Sequence, residues 1–224
     1  ETFRIAYMPP ATEFNYYIAV GEGIKAIAAE QGAEVFMLAP QSGADINGQM
    51  GMIQDVLTQD VDAIIFGTHD EFAAAPLIKK DVDQGIAVLM INSDIPNFPT
   101  PIHGVVGYSQ RNGTHKIADW AIETYGGEPV KVGIIEGQPG YHSTERVGGF
   151  LDGIEGNEDF EVVVSIPGGW NVEGGNTAGM DILQSHPDLD VIFAANDYMI
   201  IGASFAAKAL GRSDIALLGN DGAT

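Results

Sequence analysis

The sequence predicts an α/β fold of two Rossmann-like lobes with parallel sheets, joined by a hinge. Three observations predict it. Short apolar runs alternate with segments of helical periodicity along the whole chain, the pattern of parallel sheets covered by helices. The pattern is written twice: Asp60-Val61-Asp62-Ala63-Ile64-Ile65 is answered half a chain later by Asp188-Leu189-Asp190-Val191-Ile192-Phe193, Glu34-Val35-Phe36-Met37 by Glu161-Val162-Val163-Val164, and Phe3-Arg4-Ile5-Ala6 by Val130-Lys131-Val132-Gly133. Between the copies lies a proline-rich stretch, Pro96, Pro99 and Pro101, that suits a crossing between lobes. Two similar lobes facing one another would leave a cleft, the default place for a small ligand.

In order, the runs that suit buried parallel strands are Ile5–Met8, Val35–Leu38, Ala63–Phe66 and Ala87–Ile91, then Val132–Ile135, Val162–Ile166, Val191–Ala194 and Ile215–Leu218. Helices fill the gaps. Ile46, Met50, Ile53 and Leu57 fall on one helical face, as do Val20, Ile24 and Ile27 after Tyr17. Gly32 and Gly85 stand where C-terminal caps are expected. The lobes are expected at residues 1–103 and 104–224. The second is expected to be incomplete, because Ile215–Leu218 is followed only by Gly219 to Thr224, where a binding loop should begin.

Composition narrows the class. With 224 residues, 45% of them hydrophobic, the chain can bury one large core or two modest ones. It has no cysteine, which excludes disulfide staples, thiol nucleophiles and thiolate metal sites. Acidic residues outnumber basic ones 31 to 10, for a formal charge of −21, and phosphate binding needs clustered Lys and Arg, so nucleic acid is not an expected partner. The acidic residues are scattered, which suggests a solvated acidic surface whose self-repulsion salt would screen. No apolar run of ~18 residues offers a membrane span. The chain opens at Glu1 without a charged and then apolar leader, and a mature or trimmed form is expected.

Catalytic signatures are missing. There is no G-x-x-x-x-G-K-[ST] loop, Gly21-Glu22-Gly23 lacks the third glycine of a dinucleotide fingerprint, and the five histidines form no H-E-x-x-H cluster. No G-x-S-x-G elbow presents a serine. No enzyme activity, cofactor or metal is expected.

The aromatic pair after the first strand, Arg146-Val147-Gly148-Gly149-Phe150, Ala195-Asn196-Asp197-Tyr198-Met199 and Gly219-Asn220-Asp221-Gly222, in this order, resemble the type I periplasmic binding proteins. The similarity covers the whole chain and is to the ribose-binding-protein-like branch that serves sugar ABC transporters. It implies a binding protein that closes about its hinge on a monosaccharide or similar polyol, a membrane permease as partner, and a periplasmic or extracellular monomer, free or tethered by a removed lipoprotein leader. Family members continue beyond the last motif, so a closing segment past Thr224 is implied. Two readings share the fold: a sensor docking on a histidine kinase or chemoreceptor, and the effector core of a LacI-type regulator. The latter needs an N-terminal DNA-binding domain, whereas residues 1–4 lead straight into the first strand.

A sugar site needs carboxylates, amides and guanidinium forks for hydroxyls and flat aromatic faces for C–H surfaces. In a doubly wound sheet such groups belong beyond the carboxyl ends of the strands. After the first strand stand Phe14, Tyr16 and Tyr17, and the resemblance puts the family's aromatic pair on the two tyrosines, where they stack on ligand or pack in the core. The family's preceding Asn is absent, Glu13 and Phe14 standing there. Asp70 either holds a hydroxyl or caps the next helix. Asn92 and Ser93 stand where ribose-type proteins carry an Asp-Arg pair, with Asp94 shifted by two, so the bidentate fork is lost and the implied ligand differs from ribose.

In the second half, Arg146 is one of four arginines in an acidic chain and is expected to have a specific partner, the ligand or a salt bridge. Trp170 matches the family's stacking aromatic, with core packing as the alternative. Asn196 and Asp221 match ligand-contacting positions. Asn196 could equally cap a helix, and Asp221 could serve as a hinge carboxylate.

Overall fold

The computed structural model describes residues 2–222. The chain divides into two compact units, Glu1–Tyr108 and Ser109–Thr224. In the first run β1 (Arg4–Met8), α1 (Asn15–Glu30), β2 (Glu34–Met37), α2 (Ile46–Val56), β3 (Ala63–Phe66), α3 (Glu71–Asp83), β4 (Ala87–Ile91) and β5 (Gly104–Val106). In the second run α4 (Gln110–Tyr125), β6 (Val130–Glu136), α5 (Tyr141–Ile154), β7 (Phe160–Pro167), α6 (Val172–Ser185), β8 (Val191–Ala194), α7 (Asp197–Ala209) and β9 (Ala216–Leu218). The strands pair in the orders β2-β1-β3-β4-β5 and β7-β6-β8-β9, every ladder parallel. Apart from β5 the two orders are the same, so the duplication legible in the sequence is a duplication of topology. Among the described residues no helix is long and apolar enough to cross a membrane.

The repeated acidic doublet has one job in both units. Arg4 N–H donates to Asp62 Oδ2 at 2.7 Å while Asp62 N–H donates to Arg4 O at 2.9 Å. Lys131 N–H likewise donates to Asp190 Oδ2 at 2.8 Å, and Asp190 N–H to Lys131 O at 3.0 Å. Each aspartate's carbonyl then accepts the N–H of the next strand, from Ala87 at 3.0 Å and from Ala216 at 2.9 Å. The second aspartate of each doublet thus fixes the amino ends of the strands.

The strands carry the cores. Tyr7, Met8, Ile64 and Phe66 are fully buried in the first unit, and Ile134, Phe150 and Phe193 in the second, where Phe150 and Phe193 stack 4.3 Å apart. Each such side chain contributes about 1.5–3 kcal/mol by leaving water. Gly32 and Gly85 end α1 and α3 at φ 72° and 88°, the left-handed conformation expected of capping glycines.

Three sequence expectations differ from the structure. Residues 104–108, assigned to the second lobe, belong to the first unit, because Gly104–Val106 adds a strand beside β4. The expected face of α1 is not its buried face: Tyr17, Gly21 and Ala28 are buried and Ile27 is exposed. The Tyr7 ring causes this, since a Cβ on Gly21 would lie 2.8 Å from it, and the helix must turn its smallest residue to the sheet. On α2 the buried face runs through Gln49, Ile53 and Val56, which brings a glutamine inward where Met50 was expected.

In the second unit α4 and α5 touch backbone to side chain. A methyl on Gly149 would overlap the Arg111 carbonyl oxygen and Thr114 Oγ1. Across the same helix pair, Arg111 donates to Asp152 through Nε (2.6 Å) and Nη2 (2.9 Å) and to Glu145 Oε1 (3.3 Å). Its hydrogen bond holds the Asp152 carboxyl below the usual carboxylate range. Gly149→Ala should therefore lower stability by about 1–3 kcal/mol through overpacking. Urea unfolding measures it, and a variant as stable as the parent would mean that the helices part without cost.

One group has no such settlement. Asp81, on α3, is fully buried, and neither carboxylate oxygen has a hydrogen-bond partner. Burial raises its pKa to about 7, against the lowering influence of Lys80.

Candidate functional site

In the first unit the loops after β1, β3 and β4 are drawn together by side chains. The N-cap residue of α1 is Phe14, and α1 carries Tyr16 and Tyr17 in its first turn. Phe14 and Tyr17 are buried, their rings edge-to-face at 6.1 Å, while Tyr16 is 52% exposed and meets Tyr17 at 5.1 Å. Tyr7 O–H donates to the Tyr17 carbonyl at 2.8 Å, and burial pushes the Tyr7 hydroxyl above its ordinary range, so it stays a donor. Asn92 Nδ2 donates to Tyr17 Oη at 3.0 Å and links the ends of β1 and β4.

Beneath them lies Gln49, 1% exposed. Its Nε2 donates to Pro9 O at 3.2 Å and Gly67 O at 2.6 Å, and its Oε1 accepts from Thr68 Oγ1 at 3.0 Å. One amide therefore ties the carboxyl ends of β1 and β3. Glu13, which stands where the family's asparagine is absent, accepts the Gly43 N–H at 2.6 Å. Asp70 caps α3, its Oδ1 accepting from Ala73 N–H at 2.8 Å. Asp94 is half-buried, two residues beyond Asn92.

In the second unit Arg146 points inward from α5 and is 4% exposed. Its Nε donates to Gln110 Oε1 at 2.5 Å and its Nη1 to Ala195 O at 3.0 Å. Asp221 receives the fork, with Nη1 3.1 Å from Oδ2 and Nη2 3.0 Å from Oδ1. The guanidinium lies over the Trp170 ring, 5.4 Å from its centroid. Trp170 is 4% exposed and its indole fills the space left by the missing side chain of Gly137. Asn196 caps α7 by accepting the Met199 N–H at 2.9 Å, and its Nδ2 donates to Trp170 O at 3.1 Å. Asn196 thus fixes the backbone of the aromatic residue next to the cation.

Among the described residues, the non-glycine positions of positive φ are Asp60, Asn92, Trp170 and Asp221. Three of the four are candidate site residues, at φ 53°, 69° and 116°. Backbone held in such sparsely populated regions gathers where function requires an unusual aim.

The structure therefore groups Phe14, Tyr16, Tyr17 and Asn92 in one unit, and Arg146, Trp170, Asn196 and Asp221 in the other. Asp70 is occupied as a cap, and Asn196 combines a cap with a contact to the site. Gln49 and Gln110 were not singled out in the sequence; both are single buried amides on helices, without a spacing signature.

Two parallel sheets, each gathering aromatic and hydrogen-bonding groups at its carboxyl ends, define a small-molecule-binding protein of the doubly wound class. Residues 5–224 match the family model described as periplasmic binding protein domain, and the chain belongs to that family. It is 29% identical to the D-ribose/D-allose-binding protein of Pseudomonas aeruginosa over 229 aligned positions, covering 97% of this chain and 70% of that protein. An ABC transporter solute binding protein from Burkholderia multivorans superimposes with a TM-score of 0.92 at 24% identity, over 100% of this chain and 81% of the other, and shares its fold. A periplasmic solute binding protein from Actinobacillus succinogenes, solved with bound D-allose, gives a TM-score of 0.86 at 26% identity, over 99% and 79%. The expectation of a type I periplasmic binding protein fold holds.

Proposed function

We propose that the chain is the solute-binding protein of an ABC importer and takes up a sugar or sugar-like polyol. The observation that carries this is the buried Arg146 fork, lying over the Trp170 ring and paired with Asp221. A fixed guanidinium, a carboxylate and an aromatic face are what a polyol's hydroxyls and C–H surface require. Contacts come from the carboxyl ends of the strands in both sheets: Phe14, Tyr16, Tyr17, Asn92 and Asp94 from the first, Arg146, Trp170, Asn196 and Asp221 from the second, with Asp70 at the margin. Relatives that bind ribose and allose support the ligand class. Loss of the Asp-Arg pair at Asn92 and Ser93 favours a sugar other than ribose.

In this reading the protein acts as a monomer in the periplasm or outside the cell, free or tethered by a lipoprotein leader. It delivers its ligand to a membrane permease, closing about a hinge, with no reaction of its own and no nucleic acid partner. The formal charge of −21 disfavours phosphate backbones.

Thermal unfolding against a panel of monosaccharides, polyols, amino acids and nucleosides tests the proposal. A ligand at 100 times its dissociation constant adds about 2.7 kcal/mol of stability. A raised midpoint with one sugar is expected; a midpoint raised by an amino acid or nucleoside instead would overturn the sugar reading. Arg146→Ala should weaken binding of that sugar at least tenfold, roughly 1.4 kcal/mol. An unchanged dissociation constant would remove Arg146 from the site.

A further inference from the structure

The contacts that Gln110, the Ala195 carbonyl and Asp221 make with the Arg146 guanidinium are unlike one another. Asp221 lies in the segment after β9, and its side chain is 33% exposed. The Ala195 carbonyl follows β8, directly before the cap of α7. Both belong to the strand ends where, in the proposed function, the ligand's hydroxyls compete for the same donors and acceptors. The third of these contacts is made by Gln110. It is 0% exposed and opens α4 directly after the N-cap Ser109, whose side chain accepts from Asn112 N–H. The α4–α5 contact at Gly149 sets the spacing of the two helices, and Arg111 ties them on the outside.

From this we infer that Gln110 is the positioning residue for Arg146. Its amide oxygen, on a packed helix, holds Nε and thereby the plane of the guanidinium over Trp170, whatever the ligand does to Asp221. Sites are aimed best by groups whose own rotamers are locked by packing on regular elements. The chemistry of this acceptor matters as well. An amide adds no charge of its own beside the Arg146–Asp221 pair. The inference rests on the proposed function for its meaning, yet its geometry can be tested without a ligand.

The test uses Trp170 as reporter. The chain has two tryptophans, and Trp120 is half-exposed on α4, its ring 5.9 Å from that of Tyr125. In a Trp120→Phe background, emission reports Trp170 and the cation above it. Gln110→Leu removes the acceptor at similar volume, and Gln110→Glu restores an acceptor oxygen. The expected result is a shifted Trp170 emission maximum in Gln110→Leu without ligand, reversed in Gln110→Glu. Where D-allose or D-ribose binds the parent, Gln110→Leu should lose at least tenfold in affinity and Gln110→Glu less than threefold, a tenfold loss being about 1.4 kcal/mol. If the leucine variant does not fold, Gln110→Asn, which withdraws the amide by one methylene, takes its place. An emission spectrum unchanged in Gln110→Leu, or in Gln110→Asn, overturns the inference whether or not a sugar binds. A parent that binds neither sugar counts against the ligand class, and the emission still decides the role of Gln110.

Discussion

Replacing Asp81 by asparagine should stabilise the protein at pH 8 and have its smallest effect near pH 3. The sign follows from where the proton sits. In the unfolded chain this carboxyl ionises near 3.8, whereas burial on α3 raises the value to about 7 in the folded protein. Below the lower value both states hold the proton and the group makes no demand. Between the two, the unfolded state releases a proton that the folded state keeps, so stability falls as pH rises. Above about 7 the loss is complete, on the order of 4 kcal/mol for a shift of this size. Asparagine cannot ionise, and its buried amide carries about the same desolvation cost as the protonated carboxyl it replaces, so the net gain at pH 8 should be about 4 kcal/mol. Urea unfolding of parent and variant from pH 3 to pH 8 checks this. The difference between them should widen across the interval and then level; a constant difference would show that Asp81 is solvated or paired in solution.

The second large effect is expected at Gln49. Gln49→Leu keeps the volume and removes the donors to Pro9 O and Gly67 O and the acceptor for Thr68 Oγ1. A buried polar group left unsatisfied costs about 1–3 kcal/mol, and three lose a partner here, so the loss should be about 3 kcal/mol or more. Gln49→Glu separates hydrogen bonding from shape. It is nearly isosteric, but a carboxylate facing two carbonyls repels them, so it should be as damaging as leucine. Equilibrium unfolding of both variants within 1 kcal/mol of the parent would show that the amide is not what holds the ends of β1 and β3.

The strands were legible because fully buried parallel strands are short apolar runs and because the chain states them twice. The pairing of β4 with β5 was not: Gly104–Val106 is three residues long, leaves Val106 exposed, and follows the prolines that read as a crossing. The face of α1 was misread for a related reason. A helix rich in Ala and Gly has little apolar contrast around its circumference, so its orientation follows the space needed by Tyr7 rather than hydrophobic periodicity.

The site was legible to the extent that topology delivers it. Residues just past strands of a doubly wound sheet gather by construction, which is why Asn92, Trp170, Asn196 and Asp221 could be named from position. Two-way readings at Asp70 and Asn196 could not be settled in the sequence, since a capping residue and a ligand contact have the same residue type at the same place. In the structure both residues do cap their helices. Gln49 and Gln110 leave no trace in the sequence because a single buried amide acquires its partners only when distant loops converge on it.

The left-handed backbone at Asn92, Trp170 and Asp221 sets this protein against its own robustness. Side chains other than glycine held there cost of order 1–3 kcal/mol each. Selection for durability alone would drift these positions toward glycine and, in doing so, erase the amide, the indole and the carboxylate together. Thermostabilising this scaffold by consensus or library screening would therefore work against the groups of the proposed site, and would tend to yield a sturdier protein with a weaker grip.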